Sequence, residues 1–311
     1  MRAIAIASDL YDLINLEKRF EGRIHSIFSE VINVLSGSDE LITIISEQKS
    51  LAPMCLQVNF SGCDTKKLVS DDKVIFTSSG IQIPRLRLKI AFDNMTVWQP
   101  DTETKGLVYS RALMNERVLS LRKSMLEGGA GAGLLPLIST MDHIYGVPES
   151  DAPIKLDSNN YCDFIEEVFI AIIDLIDRQN YDGVLPLLPR FIGFGPGLTP
   201  STDDFLMGLV MTLYYFETIT GDQSKLVEKF AKDLFTASVG RTTTVSEAML
   251  KNASKGRVAS THRALIQSLF DREVQTIQNA TNEVLKNGST SGTDFLLGVY
   301  CAQMLLLRRN L

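Results

Sequence analysis

The chain has 311 residues, 45% of them hydrophobic and 22% charged, enough for one large domain or two of ordinary size and too apolar for a disordered protein. Its net charge of -6 gives no global attraction to nucleic acid or to an anionic membrane surface, although a few local donors suffice to hold a small anion. Cys55, Cys63, Cys162 and Cys301 lack C-x-x-C spacing, and His25, His143 and His262 are isolated, so the pattern fits buried free thiols in a reducing cytoplasm rather than a zinc or disulfide framework.

Residues 1–16 are interrupted by Asp9 and Asp12 and lack a small-residue cleavage site, so no signal peptide is read there. The apolar runs 205–216 and 295–307 are shorter than the roughly 20 residues that span a bilayer, and no membrane partner is expected. Strands are predicted at 22–28, 31–35, 41–45, 55–60, 74–77, 81–83 and 86–92, each bounded by Gly, Ser, Asp or Pro. Such close spacing leaves no room for crossover helices and predicts an antiparallel sheet or small barrel.

Beyond Pro100 the periodicity becomes helical. Helices are expected over 105–126 and 160–178, the latter with Phe164, Val168, Ala171, Ile172 and Leu175 on its apolar positions, and then from about 199, 223, 244, 260, 271 and 291. The chain therefore reads as α+β, with a β-rich domain over 1–100 and a helical domain over 101–311. The glycine-rich stretch 127–133 lacks both G-x-G-x-x-G spacing and a Walker lysine, and a linker is preferred to a phosphate cradle. His262-Arg263 reads as surface, and Arg308-Arg309 as a charge pair at a helix C-terminus.

The most informative segment is GFGPGLTPSTDD, 193–204. Gly193, Gly195 and Gly197 allow sharp turns or close approach to a ligand, and the segment empties into a helix whose N–H groups favour an anion. Two registers fit: Thr199 as N-cap with Pro200 at the first helical position, or a capping box from Ser201 to Asp204. Asp203 and Asp204 would repel a bare phosphate, by about 1 kcal/mol per unit-charge pair at 4 Å in water and more when buried. Three resolutions stand open: a divalent cation such as Mg2+ held by Asp203 and Asp204, hydrogen bonds accepted from a substrate NH2, or simple capping. Gly208, one turn after Asp204, leaves room for a close neighbour.

The segment has an echo. Ser201-Thr202-Asp203-Asp204-Phe205-Leu206-Met207-Gly208 aligns with Ser291-Gly292-Thr293-Asp294-Phe295-Leu296-Leu297-Gly298, repeating Ser, Asp, Phe, Leu and Gly at equal offsets. This predicts two related helix ends facing one shared site, against the alternative of two separately capped core helices. Between them, Arg241 and the hydroxyls of Thr242, Thr243 and Thr244 offer an anion contact or a helix start.

The run GFGPGLTPSTDDFLMG resembles the signature of the AllH family, with weaker support from GRIHSIF at 22–28, from Thr243 to Ser246, and from Gly288 to Asp294. One departure is Thr202, where the family usually has glycine; a side chain there would narrow the site. The resemblance implies a subunit of an oxamate carbamoyltransferase complex of anaerobic allantoin breakdown, a part of purine catabolism. Carbamoyl phosphate and oxalurate would stand on the two sides of the reaction. It also implies partner subunits. On that basis Gly195, Gly197, Thr199, Ser201, Arg241, Thr243 and Ser291 would hold the anionic end of the substrate, and Asp203, Asp204 and Asp294 its NH2 end or a cation. No covalent nucleophile stands out. Two other classes remain: a noncatalytic partner-binding or regulatory subunit, and a metal-dependent amide or phosphate hydrolase.

Overall fold

The computed structural model describes residues 1–60, 65–147, 156–271 and 277–309; Cys63 lies outside them. The chain divides into two compact units. One comprises Met1–Asp101 with Arg257–Ser260, and the other Thr102–Gly256 with the residues from Thr261 onward.

The first unit is a curled mixed sheet of nine strands. These are β1 (Ala3–Ala7), β2 (Arg19–Ile27), β3 (Val31–Ser36), β4 (Leu41–Ser46), β5 (Cys55–Val58), β6 (Lys73–Thr77), β7 (Gly80–Ile83), β8 (Leu88–Ala91) and β9 (Thr96–Trp98), in the order β8-β7-β6-β2-β3-β4-β5-β1-β9. A bridge between Arg2 and Ala91 brings β8 back to the start of β1, which gives the half-barrel its curl. Most pairings are antiparallel, as the short connections predict. β4–β5 and β1–β9 are parallel.

β1, β9 and helix α1 (Ser8–Glu17) were not legible in the residue pattern. Alanine, which fills three of the five positions of β1, is depleted in strands, and a strand of three residues has no periodicity to read. Leu10 and Ile14 of α1 are buried among Ile24, Val34, Ile44 and Phe76 of the sheet, so the helix closes the core of this unit.

The second unit is helical: α2 (Arg111–Gly128), α3 (Ile138–Tyr145), α4 (Asn160–Asp177), α5 (Tyr181–Val184), α6 (Ser201–Thr220), α7 (Leu226–Ser238), α8 (Thr244–Ala253), α9 (Ser260–Phe270), α10 (Ile277–Leu285) and α11 (Ser291–Arg308). α6 and α11 are apolar on nearly every side and are buried along most of their length, as central helices must be. A Cβ at Gly208 would collide with the Phe295 carbonyl oxygen, and one at Gly298 with that of Phe205. The two glycines let the two backbones touch at reciprocal positions of the repeated sequence.

A buried network ties α2 and α3 to α11. The Arg122 guanidinium donates to Asp142 Oδ2 at 2.5 and 3.0 Å, and Tyr300 Oη donates to Asp142 Oδ1 at 2.5 Å. His262 is buried and stacks on Phe295 with ring centroids 4.1 Å apart, which corrects its reading as a surface residue. Burial also pulls its pKa down to about 4, so the ring is neutral. Cys55, Cys162 and Cys301 are buried free thiols. Among the described residues no helix is long and apolar enough to cross a membrane.

Candidate functional site: two helix ends and a pair of buried carboxylates

α6 begins at Ser201 with Pro200 as its N-cap, and α11 at Ser291 with Thr290 as its N-cap; neither start has a side-chain cap. Both capping registers predicted for α6 are therefore corrected: Thr199 and Asp204 cap nothing there. The two helix starts meet. Thr199 Oγ1 lies 2.7 Å from Ser291 Oγ, and Asp294 is near enough for its charge to act on Asp204. Asp203, Asp204 and Asp294 are 2%, 3% and 0% exposed.

The three carboxylates live in different surroundings. Asp203 accepts from the Gly193 N–H at 2.8 Å, from Ser246 Oγ at 2.7 Å and from Thr242 Oγ1. It therefore fastens the glycine loop and the start of α8 to α6. Burial raises its pKa, and those three donors oppose the rise. Asp204 has no such set. Burial, then the charge of Asp294, pushes its pKa well above the ordinary value, while the Ser291 and Thr199 hydroxyls work against the shift. Asp294 accepts from the Leu134 N–H at 2.7 Å, and burial raises it to about 6. One oxygen of each, Asp204 Oδ2 and Asp294 Oδ2, is buried without a hydrogen-bond partner. Leaving such oxygens unpaired in the interior costs about 1–3 kcal/mol each, more when charged.

The backbone around the pair is shaped by glycine. Gly193, Gly195 and Gly197 all have positive φ (76°, 120° and 94°), and a Cβ at Gly195 would strike the start of α6. Gly197 and Pro196 are exposed, with open space beside Gly197. On the other side, the stretch read as a linker is part of the site. Ala130 N–H donates to Thr293 Oγ1 at 3.0 Å, and Gly133 packs against the Asp294 carboxylate, where any Cβ would clash. Asn159 Nδ2 pins this loop through the carbonyls of Gly131 and Gly133 at 2.9 and 2.8 Å. Glycine-rich composition suits a loop that must approach a carboxylate closely as well as it suits a flexible connection, so only the fold separates the two.

Of the residues singled out in the sequence, Gly195, Thr199, Ser201, Asp204, Ser291 and Asp294 gather at the meeting helix ends. Thr243 does not present a free hydroxyl: it donates to the Leu198 carbonyl and accepts from the Ser246 N–H at 3.1 Å, capping α8. Arg241 is exposed beside the loop, its carbonyl oxygen against Gly193. Thr202, expected to narrow the site, is instead buried against the preceding turn. It donates to the Phe191 carbonyl at 2.6 Å and accepts from the Phe194 N–H at 3.1 Å. Leu134 and Asn159 belong to the arrangement and were missed, because backbone donors and single amides leave no spacing signal; Gly133, Thr242 and Ser246 lay in segments read for other roles, a linker, an anion contact and a helix start.

Among the described residues no group of three or more His, Cys, Asp or Glu side chains could hold a metal ion. Asp203 uses both oxygens on protein donors, the Gly193 N–H on one and the Thr242 and Ser246 hydroxyls on the other. A groove of about 1110 Å3 opens elsewhere in the helical unit, beside Arg111, Tyr145 and Arg308, and none of the motif residues lines it.

The family model described as oxamate carbamoyltransferase subunit AllH matches residues 191–303, which contain both helix ends. The AllH family N-terminal domain matches residues 2–97. The chain belongs to the AllH family. Its matched regions take in the nine-stranded sheet and the α6–α11 pair, and the family's description as a transferase subunit points to a multi-subunit assembly. No solved structure matches the chain.

Proposed function

We propose that the meeting ends of α6 and α11 form the carbamoyl-transfer site of an oxamate carbamoyltransferase-type complex in the cytoplasm, acting in allantoin breakdown. The observation that carries this reading is the pair Asp204 and Asp294, two buried carboxyl groups, each with one unpartnered oxygen and each with a raised pKa. Carboxyls whose environments push their pKa values apart from the ordinary range suit proton transfer near neutrality.

In the transfer, the amide nitrogen of oxamate attacks the carbamoyl carbon of carbamoyl phosphate. The C–N bond of oxalurate forms, the bond from carbon to the phosphate oxygen breaks, and one N–H proton is lost. Asp294, ionised above about pH 6, accepts that proton. Asp204, held neutral by burial and by its neighbour's charge, donates one to the departing phosphate. A proton passing between them restores the pair. Helix N–H groups, the Thr199 and Ser291 hydroxyls and Arg241 hold the anionic ends, and Ser201, Gly195 and Gly197 shape the approach. Asp203 positions the loops and touches no substrate.

The second reading, a noncatalytic subunit that completes a site with a partner, draws on the burial of all three carboxylates. Steady-state carbamoyl transfer by the assembled complex separates the two. Asp204→Asn and Asp294→Asn should each lower kcat by about 10²–10⁴-fold with assembly intact, the usual worth of a general acid or base. Unchanged turnover in both variants would move the chemistry to another subunit.

A further inference from the structure

The mouth of the glycine loop is rimmed by an exposed aromatic cluster. Phe194, the second residue of the loop, stacks on Phe164 with centroids 5.2 Å apart and meets Tyr161 edge-on at 5.8 Å. Phe164 is 71% exposed and Tyr161 40%. Both sit in the first turns of α4, whose N-cap Asn159 binds the carbonyls of Gly131 and Gly133. α4 is thus fastened to both loops that cover the carboxyl pair: through Asn159 to the loop against Asp294, and through the rings to the loop before Asp204. Nothing in the folding of α4 calls for two aromatic rings on its wet side, because its core face is already built from Ile165, Val168, Phe169 and Ile172.

The charge carried by α4 itself has one sign. α4 carries Asp163, Glu166, Glu167, Asp174 and Asp177 and no lysine or arginine. Exposed Asp163 and Glu167 flank Phe164, and neither has an ion pair among the described residues. Site chemistry asks for the opposite sign. A phosphate-bearing substrate would face two carboxyls, and Arg241 is exposed beside the loop.

We propose that the Tyr161–Phe164–Phe194 platform is the docking surface for a different subunit of the complex, one that lays an apolar anchor on the rings and a lysine or arginine beside Asp163 and Glu167, at the entrance to the carboxyl pair. The inference rests on the carbamoyl-transfer reading for the need for a cation, and on the family's description as a subunit for the existence of a partner. Aromatic residues at the centre of an interface carry a disproportionate share of its energy, and a flanking charge sets partner choice and association rate. Docking here would press on both loops at once, so assembly and the shape of the site are coupled.

The test uses the complex purified through a tag on the full-length chain, with p-benzoylphenylalanine placed at Phe164 and, as a control, at the exposed Phe28 of the sheet unit. Light-induced cross-links from position 164 should fall on a different chain, in a peptide with lysine or arginine within a few residues, and those from position 28 should not. In sedimentation, Phe164→Ala and Glu167→Lys should each weaken assembly about tenfold or more, with the isolated chain still folded by circular dichroism. Cross-links to a second copy of this chain, cross-links to peptides without a basic residue, or assembly unchanged in both variants would overturn the proposal. Assembly is read without turnover. If these variants dissociate while Asp204→Asn and Asp294→Asn leave transfer intact, the docking surface stands and the catalytic reading falls.

Discussion

The two copies of the repeated segment do different work with the same frame. In each, the shared aspartate, Asp204 or Asp294, turns toward the other copy, while the residue before it, Asp203 or Thr293, holds a glycine-containing loop. Asp203 takes the Gly193 N–H, and Thr293 takes the Ala130 N–H. The copies diverge at that preceding position: Asp203 gathers three donors from two segments, whereas Thr293 gathers one. The like residue marks the site, and the unlike residue marks what each copy has to hold in place.

This comparison can be broken first at its hinge. Gly298→Val sets a branched side chain against the Phe205 carbonyl with no flexible neighbour to yield, and should cost about 4 kcal/mol or more in urea unfolding. A loss below about 1 kcal/mol would mean that the helices do not touch there. Asp203→Ala strands three donors and should cost about 3 kcal/mol, with faster amide exchange at 193–198 and 240–246; exchange confined to α6 would contradict its loop-holding role.

Asp294 supplies a pH test. Its folded pKa, about 6, lies above the unfolded value near 3.8, so between those values the folded state binds more protons than the unfolded. Its contribution to stability is greatest below about pH 4 and is lost as the pH rises through 6. Asp294→Asn, which can still accept from Leu134, should therefore gain on the parent by up to about 1.4 kcal/mol per pH unit across that interval, then level off. A difference independent of pH would show that Asp294 is not held in this environment. The smallest effect is expected from Thr202→Gly, a loss of about 1–2 kcal/mol from hydroxyl contacts and helix propensity, with carbamoyl transfer within about threefold of the parent. A large change in KM would restore Thr202 to the site.

The class of fold was legible because period and punctuation are local properties. Turn residues every few positions identified most of the strands, and apolar spacing identified α4 and the central pair, although Phe164, read as one of α4's apolar positions, is 71% exposed and Ile165 and Phe169 face the core instead. The repeat of Ser, Asp, Phe, Leu and Gly foretold that α6 and α11 would be related, and Gly208 that something would lie close. What was not legible depends on contacts distant in sequence. Gly133 beside Asp294, Thr242 on Asp203 and Asn159 on the 131–133 carbonyls join segments that share no pattern. Capping, too, misled: Ser-x-x-Asp chemistry was present at 201–204, but tertiary donors drew Asp203 to the loop and burial left Asp204 Oδ2 without a partner.

The claim on which the rest depends is that Asp204 and Asp294 face each other in a buried environment that keeps one of them protonated at neutral pH. Infrared difference spectroscopy of the carboxylic C=O stretch, parent against variant across pH 4–8, reads this without substrate or partner. A carboxylic band should persist at pH 7 and vanish in Asp204→Asn, and a second component should titrate near pH 6 and vanish in Asp294→Asn. Bands that disappear together by about pH 5, at the ordinary carboxyl range, and that neither substitution changes would contradict the paired site.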